Sequence, residues 1–389
     1  MAFTFISEQL SQQKKQARYR QRVCTNNSRD NLNHIIIEDK SYINFSSNDY
    51  LGLNNHPLIN SAMQEGVDRF GLCASASSLV TGYQYAHQSL EETICQWLNK
   101  PSCLLFSSGF SANLALFHAL GSTQAKSSNK AAFFLDKLSH ASMIDGAYQS
   151  QGVIKRFAHN DMTQLARFLA QVPEDTNKLI ASEGVFSMDG DKADINKLKK
   201  LAESYDSWLY LDDAHSIGVI GDKGQGSNFV TNIDISMATF GKALATSGAF
   251  IACEQELKDY LTNFSRHYIY STAISPAIAW ATKKSIELTQ SEQWRRDKIV
   301  ELSELFLSKL DQHINVLPSD SSIHAIIIGD EQKALDVSKT LKEQGLWVTA
   351  IRPPTVANGT SRLRVTICAN HSHNDINKLA STLNKALNY

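Results

Sequence analysis

Through most of the chain, short apolar runs alternate with stretches whose hydrophobic residues recur at helical spacing. Runs at 103–106, 131–135, 178–182, 208–211, 235–239 and 249–253 predict strands. Between them, stretches such as 111–120, 161–170 and 194–205 predict helices. Such alternation argues for α/β layering around a largely parallel sheet. Ligands of such sheets sit beyond the C-terminal ends of the strands. The residues just after each apolar run are therefore where chemistry is expected.

The character changes after Ser275-Pro276. Positions 277–310 read as one long helix, then come a strand at 323–328, a helix at 333–344, strands at 347–351 and 362–367, and a terminal helix from Asp375. This ending predicts a separate, smaller α+β domain. The expected division is an N-terminal arm and helix over 1–50, a large domain over 51–280 and a small C-terminal domain over 281–389. No internal repeat is found, and the polar tract at 123–130 reads as a surface loop.

Composition narrows the function classes. With 42% hydrophobic and 20% charged residues, the chain has an ordinary soluble composition. A formal net charge of −1 gives no global field for nucleic acid or an acidic membrane, so anionic substrates need local cations. Cys24, Cys73, Cys95, Cys103, Cys253 and Cys368 are scattered without a CxxC pair, as in reduced cytosolic enzymes. No run approaches the ~20 apolar residues of a membrane span. The first residues mix apolar, polar and basic types rather than forming a secretory leader, so the cytoplasm is the default compartment.

The segment Leu209-Tyr210-Leu211-Asp212-Asp213-Ala214-His215 is a predicted strand ending in carboxylates and a histidine. Alone, a strand-end aspartate is as often structural as functional. Downstream, Met237-Ala238-Thr239-Phe240-Gly241-Lys242-Ala243-Leu244 closes another strand in Thr-x-Gly-Lys. A P-loop would need an upstream glycine and a hydroxyl residue where Ala243 stands. A surface lysine would be the favoured reading if Lys242 stood alone; the Asp212/His215 element shifts the balance. Pyridoxal 5′-phosphate (PLP) needs a lysine that can form an imine and an acid that keeps the pyridine nitrogen protonated, so that the ring accepts electrons.

Other strand ends add candidates. Ser107-Ser108-Gly109-Phe110-Ser111-Ala112-Asn113 opens a helix, where free N–H groups favour a phosphate, though many strand–helix turns look alike. Thr239 offers a hydroxyl to the same anion. His140, in Asp136-Lys137-Leu138-Ser139-His140, either stacks on a cofactor ring or caps a helix; the two readings are equally weighted. Ser182-Glu183-Gly184-Val185-Phe186-Ser187-Met188-Asp189-Gly190 supplies a carboxylate and a hydroxyl. Arg352-Pro353-Pro354-Thr355 and Ser361-Arg362-Leu363-Arg364 carry guanidinium groups suited to a carboxylate, although strand arginines of small domains are more often solvated. His371-Ser372-His373 lacks a third ligand and reads as a helix start, so no metal is expected.

Taken in order, Asn44-Phe45-Ser46-Ser47-Asn48-Asp49-Tyr50-Leu51-Gly52-Leu53, Ser108-Gly109-Phe110, Ser139-His140-Ala141-Ser142, the 183–190 stretch, Asp212-Asp213-Ala214-His215 and Thr239-Phe240-Gly241-Lys242 resemble the α-oxoamine synthase family. The resemblance covers essentially the whole chain. It implies the α/β fold of a fold-type-I PLP-dependent transferase, with a mostly parallel sheet in the large, PLP-binding domain and a smaller α+β C-terminal domain. The implied protein is a cytoplasmic homodimer. It joins an amino acid to an acyl thioester with loss of CO2. Lys242 is the implied cofactor anchor and base, Asp212 the partner of the pyridinium nitrogen, and His140 the ring-stacking residue that also faces substrate.

By the same resemblance His215 and Ser187 lie near the ring hydroxyl. Gly109, Phe110 and Thr239 hold the phosphate, and Thr272 reaches a phosphate across a dimer interface. Arg364, with Asn48, takes the amino-acid carboxylate. Arg22, with Arg20 as the alternative, contacts the acyl substrate, as does Thr355. Three features, namely Thr-Phe-Gly-Lys, Ala350-Ile351-Arg352-Pro353-Pro354-Thr355-Val356 and Gly359-Thr360-Ser361-Arg362-Leu363-Arg364, are most similar to the biotin-pathway member. The implied substrates are thus L-alanine and a pimeloyl thioester, carried on CoA or an acyl carrier protein. Cys73-Ala74-Ser75-Ala76-Ser77-Ser78 and Ser216-Ile217-Gly218 depart from the family's usual wording and bear on acyl preference, not on Lys242. Rival readings are a sister synthase using glycine or another acyl donor, and a PLP-binding protein without turnover.

Overall fold

The structure, a computed structural model, describes residues 3–28, 30–122 and 130–388. The tract read as a surface loop lies, apart from Lys130, outside the described residues. The chain divides into two units, one of Leu53–Ser187 with Lys192–Arg296, the other of Met1–Gly52, Met188–Asp191 and Asp297–Tyr389.

The 53–296 unit is built on a seven-stranded sheet. Its order is Ser102–Phe106, Ala249–Cys253, Ile235–Thr239, Ser207–Asp212, Lys178–Glu183, Ala132–Asp136 and Val153–Phe157. All neighbours are parallel except Ala249–Cys253, which runs antiparallel to both flanking strands. This is the mostly parallel α/β arrangement that the alternation predicts, and four of its strands are the apolar runs extended by a residue or not at all; Ser207–Asp212 gains one residue at each end and Ala132–Asp136 is shifted by one. Alternate residues go to opposite faces: Phe133 and Leu135 join one core cluster, Ala132 and Phe134 another. Burial on both faces explains the continuous apolar runs. Each fully buried side chain of this size contributes about 1.5–3 kcal/mol. The edge strand Val153–Phe157 escaped the sequence reading because only Phe157 is buried, and Lys155 and Arg156 interrupt its pattern.

Positions 277–310 are not one helix. Helix Pro276–Ser291 stops at Glu292, and a second helix, Gln293–Lys309, begins directly after it. Two arginines of the second helix reach back across the break. Arg296 donates to the Thr289 carbonyl, and Arg295 Nε donates to the Glu292 carboxylate at 2.5 Å. Apolar periodicity does not register such a break.

The other unit carries a three-stranded antiparallel sheet, Ile323–Gly329, Ser361–Thr366 and Thr349–Ile351. A four-stranded sheet pairs Asn26–Asn27, His34–Ile37, Lys40–Asn44 and Leu346–Trp347. The expected strand at 347–351 is therefore split between two sheets. Ser46 explains where: its Oγ accepts from the Thr349 amide at 3.0 Å and donates to the Trp347 carbonyl at 3.4 Å. Helices Glu331–Glu343 and His373–Leu387 cover the core made by Ile43, Phe45, Leu341, Leu363, Val365 and Leu379.

Candidate active site

Lys242 follows strand Ile235–Thr239 on a tight turn. Its carbonyl accepts from the Ala245 amide at 2.9 Å, and Phe240, Ala243 and Leu244 are buried around it. Three apolar anchors thus fix a half-buried lysine, whose Nζ lies 2.8 Å from His215 Nε2. His215 comes from the loop after the neighbouring strand, Ser207–Asp212. Asp212 ends that strand and is buried; its Oδ1 accepts from the Ala214 amide at 3.0 Å and its Oδ2 from Asn113 at 2.9 Å.

Ser108 caps helix Gly109–Gly121 by accepting the Ser111 amide at 3.1 Å. A Cβ on Gly109 would stand 2.5 Å from Thr239 Cγ2, so the two strand ends meet at a point only glycine allows. Thr239 Oγ1 is buried and has no partner among the described residues. The helix start and this hydroxyl are groups that could hold an anion. Phe110 is 43% exposed, its ring edge-on to His140 at 6.4 Å.

His140 caps helix Ala141–Gln149, its Nδ1 accepting from the Ser142 amide at 3.3 Å, with Ser142 Oγ 2.6 Å away. The capping alternative is realised, and capping leaves the exposed ring face available. Desolvation holds the imidazole below its ordinary pKa; Asp212 opposes this and Lys242 adds to it. Glu183, buried at the end of strand Lys178–Glu183, is raised well above the usual carboxylate range by burial and by Asp212. Ser187 is half-buried in the loop beyond it. Thr272 is exposed, bridged to Ser77 in a short antiparallel pair, which joins the unusual 73–78 stretch to it. The other departure, Ser216, is buried and donates to Asp213.

In the second unit Arg364 and Arg362 are buried, against the solvated alternative. Arg364 bonds Asn48 Oδ1 at 3.2 Å, Thr366 Oγ1 at 3.3 Å and the Tyr50 hydroxyl at 3.4 Å. Three neutral groups thus orient its fork. Arg362 pairs with Asp189, a structural role. Arg20 Nη2 donates to Thr355 Oγ1 at 2.8 Å, bringing those two candidates together, whereas Arg22 is exposed. His371 stacks on Phe45 at 4.2 Å, accepts from the Cys368 amide at 3.0 Å and is pushed down to about 4 by burial. His373 starts helix His373–Leu387.

The sequence reading missed Asn113, Ser142 and Tyr210. The one signal was a polar Asn113 in an otherwise apolar helix face.

The chain belongs to the aminotransferase class I and II family, whose model matches residues 40–383, and within it to the fold-type-I α-oxoamine synthases. Among relatives, the 8-amino-7-oxononanoate synthase of Photobacterium profundum is 42% identical over 388 residues, 98% of this chain and 97% of that protein. A solved 8-amino-7-oxononanoate synthase from Francisella tularensis is 28% identical with a TM-score of 0.75, covering 90% of this chain and 98% of its own. Serine palmitoyltransferase from S. paucimobilis, solved with a PLP–myriocin aldimine, shares the fold at 24% identity, with a TM-score of 0.91 over 99% of this chain and 97% of its own. The cofactor of this enzyme is PLP. The residues present fit it: a lysine amine beside a histidine, a buried carboxylate, and a cradle where Gly109 makes room and Thr239 Oγ1 is left to donate.

Proposed function

We propose that this enzyme condenses L-alanine with a pimeloyl thioester, releasing the thiol and CO2 and giving 8-amino-7-oxononanoate for biotin synthesis. The observation that carries the substrate assignment is end-to-end similarity, at 42% identity, to a relative bearing that activity in its name. Bound PLP supplies an electron sink for negative charge developing at the amino acid's Cα. Lys242 Nζ would anchor the cofactor and would be the group that takes the Cα proton. His215 Nε2, 2.8 Å away, orients that amine for the transfer. Asp212 would be the acid partner of the ring nitrogen, and His140 would lie against the ring. His215 and Ser187 serve the ring hydroxyl, while Gly109, Phe110 and Thr239 hold the phosphate.

Arg364 receives the alanine carboxylate through a fork that Asn48, Tyr50 and Thr366 hold in place. Arg22 or the Arg20–Thr355 pair meets the acyl substrate. The working form is a homodimer in which Thr272 of one copy serves the phosphate of the other. Among the described residues no helix is long and apolar enough to cross a membrane, and we place the enzyme in the cytoplasm.

Thiol release from a panel of acyl thioesters, each offered with alanine or glycine, tests this reading. Alanine with pimeloyl thioester should be the preferred pair; preference for glycine overturns it. Borohydride reduction with peptide mapping should place a pyridoxyl group on Lys242, and an unmodified lysine would refute its anchoring role.

A further inference from the structure

One buried amide connects two groups that the reaction uses separately. Asn113 sits in the first turns of helix Gly109–Gly121 and is 1% exposed. Its Nδ2 donates to Asp212 Oδ2 and to Ser142 Oγ, both at 2.9 Å, and its Oδ1 accepts from the Tyr210 hydroxyl. Tyr210 and Asp212 project from the same face of one strand, two residues apart. Ser142 belongs to helix Ala141–Gln149, which Gly146 lets approach closely: a Cβ there would stand 3.2 Å from the Asn113 carbonyl.

The chemistry leaves this amide one orientation. A carboxylate only accepts, so the group facing Asp212 is the NH2; turned over, Oδ1 would oppose Asp212 as acceptor against acceptor. Ser142 Oγ, accepting from Asn113, keeps its own proton to give. A backbone N–H only donates, so the Ser142 amide fixes His140 Nδ1 as an acceptor, and the Ser142 hydroxyl, at 2.6 Å, donates to it as well. His140 therefore carries its proton on Nε2. The bonds among Tyr210, Asn113 and Ser142 cannot be reversed without setting acceptor against acceptor at Asp212.

We propose that Asn113 is a positioning residue that holds the Asp212 carboxylate and, through Ser142, fixes His140 as the neutral Nε2–H tautomer. The role rests on the PLP assignment but not on the identity of the acyl donor. In the apo-protein, 15N-histidine NMR, with His140 assigned by its loss in H140Q, should show Nδ1 unprotonated at neutral pH. S142A should raise the titration midpoint of His140 while leaving PLP affinity within about twofold of wild type. N113A should alter His140 in the same way and also weaken PLP binding, followed by absorbance titration, about tenfold or more, the scale of a hydrogen bond to a charged group. N113A binding PLP as tightly as wild type, or S142A leaving the titration midpoint of His140 unchanged, overturns the proposal. If N113A does not fold, the isosteric N113D decides, because it sets a second carboxylate against Asp212: tenfold weaker binding supports the role and unchanged binding refutes it. Wild-type protein that takes up no PLP would defeat the cofactor reading alone, since the NMR comparison still tests the network.

Discussion

Asp213 is 1% exposed and accepts from the Ser227 amide at 3.0 Å, from Ser227 Oγ at 2.5 Å and from Ser216 Oγ. Even so, burial raises its pKa to about 6, because these bonds only partly offset desolvation. Replacing it by Asn keeps the shape. The amide oxygen can take the Ser227 N–H, and the NH2 can face the two hydroxyls, which turn to accept. The folded-state pKa is raised above the unfolded value, so the native state binds the proton more tightly. The stability Asp213 contributes is present at low pH and lost as pH rises through about 6. Against an unfolded carboxyl at ~4, wild type should lose on the order of 1 kcal/mol relative to D213N between pH 5 and pH 8. Urea unfolding of both apo-proteins at pH 5, 6.5 and 8 measures this, and the difference cancels all other titrating groups. A wild-type-minus-D213N difference that is flat with pH, or that grows with pH, refutes the assignment of a strained buried carboxylate.

Three further outcomes follow from named contacts. G109A should weaken PLP binding roughly tenfold, on the ~1–3 kcal/mol scale of overpacking against Thr239, as read by fluorescence titration of the apo-protein. R364K retains charge but loses the planar fork; kcat/KM for alanine should fall roughly a hundredfold in steady-state kinetics while PLP uptake is unchanged. D189A leaves the buried Arg362 guanidinium without its carboxylate and should cost about 3 kcal/mol in thermal or urea unfolding.

The sequence pattern located most of the strands and the strand-end position of Lys242 because both signals are local. Runs buried on both faces announce themselves as apolar blocks, and Thr239–Lys242 sits where such a block ends. What it could not register lies in pairings between distant segments. The antiparallel direction of Ala249–Cys253 leaves no mark on its composition. The break at Glu292 depends on Arg295 and Arg296 reaching back to it. Nor does anything near Asn113 announce that Tyr210 and Ser142, far off in sequence, will meet its side chain. The edge strand Val153–Phe157 was lost for the opposite reason: solvent on its outer side removed the apolar run.

The chain's first and last segments belong to one unit, with the other unit inserted between them. Ile43 pairs with Leu346 in that unit's four-stranded sheet. During synthesis, about 300 residues must emerge after strand Lys40–Asn44 before its second partner, Leu346–Trp347, exists, which at ~5–20 residues per second is a wait of tens of seconds. The intervening 53–296 segment can meanwhile collapse on its own sheet. The unit bearing Lys242 would then be complete before the unit bearing Arg364. The apolar face of residues 35–45 stays uncovered until the end, so truncation near the C-terminus should expose a sticky N-terminal hairpin rather than merely shorten the enzyme.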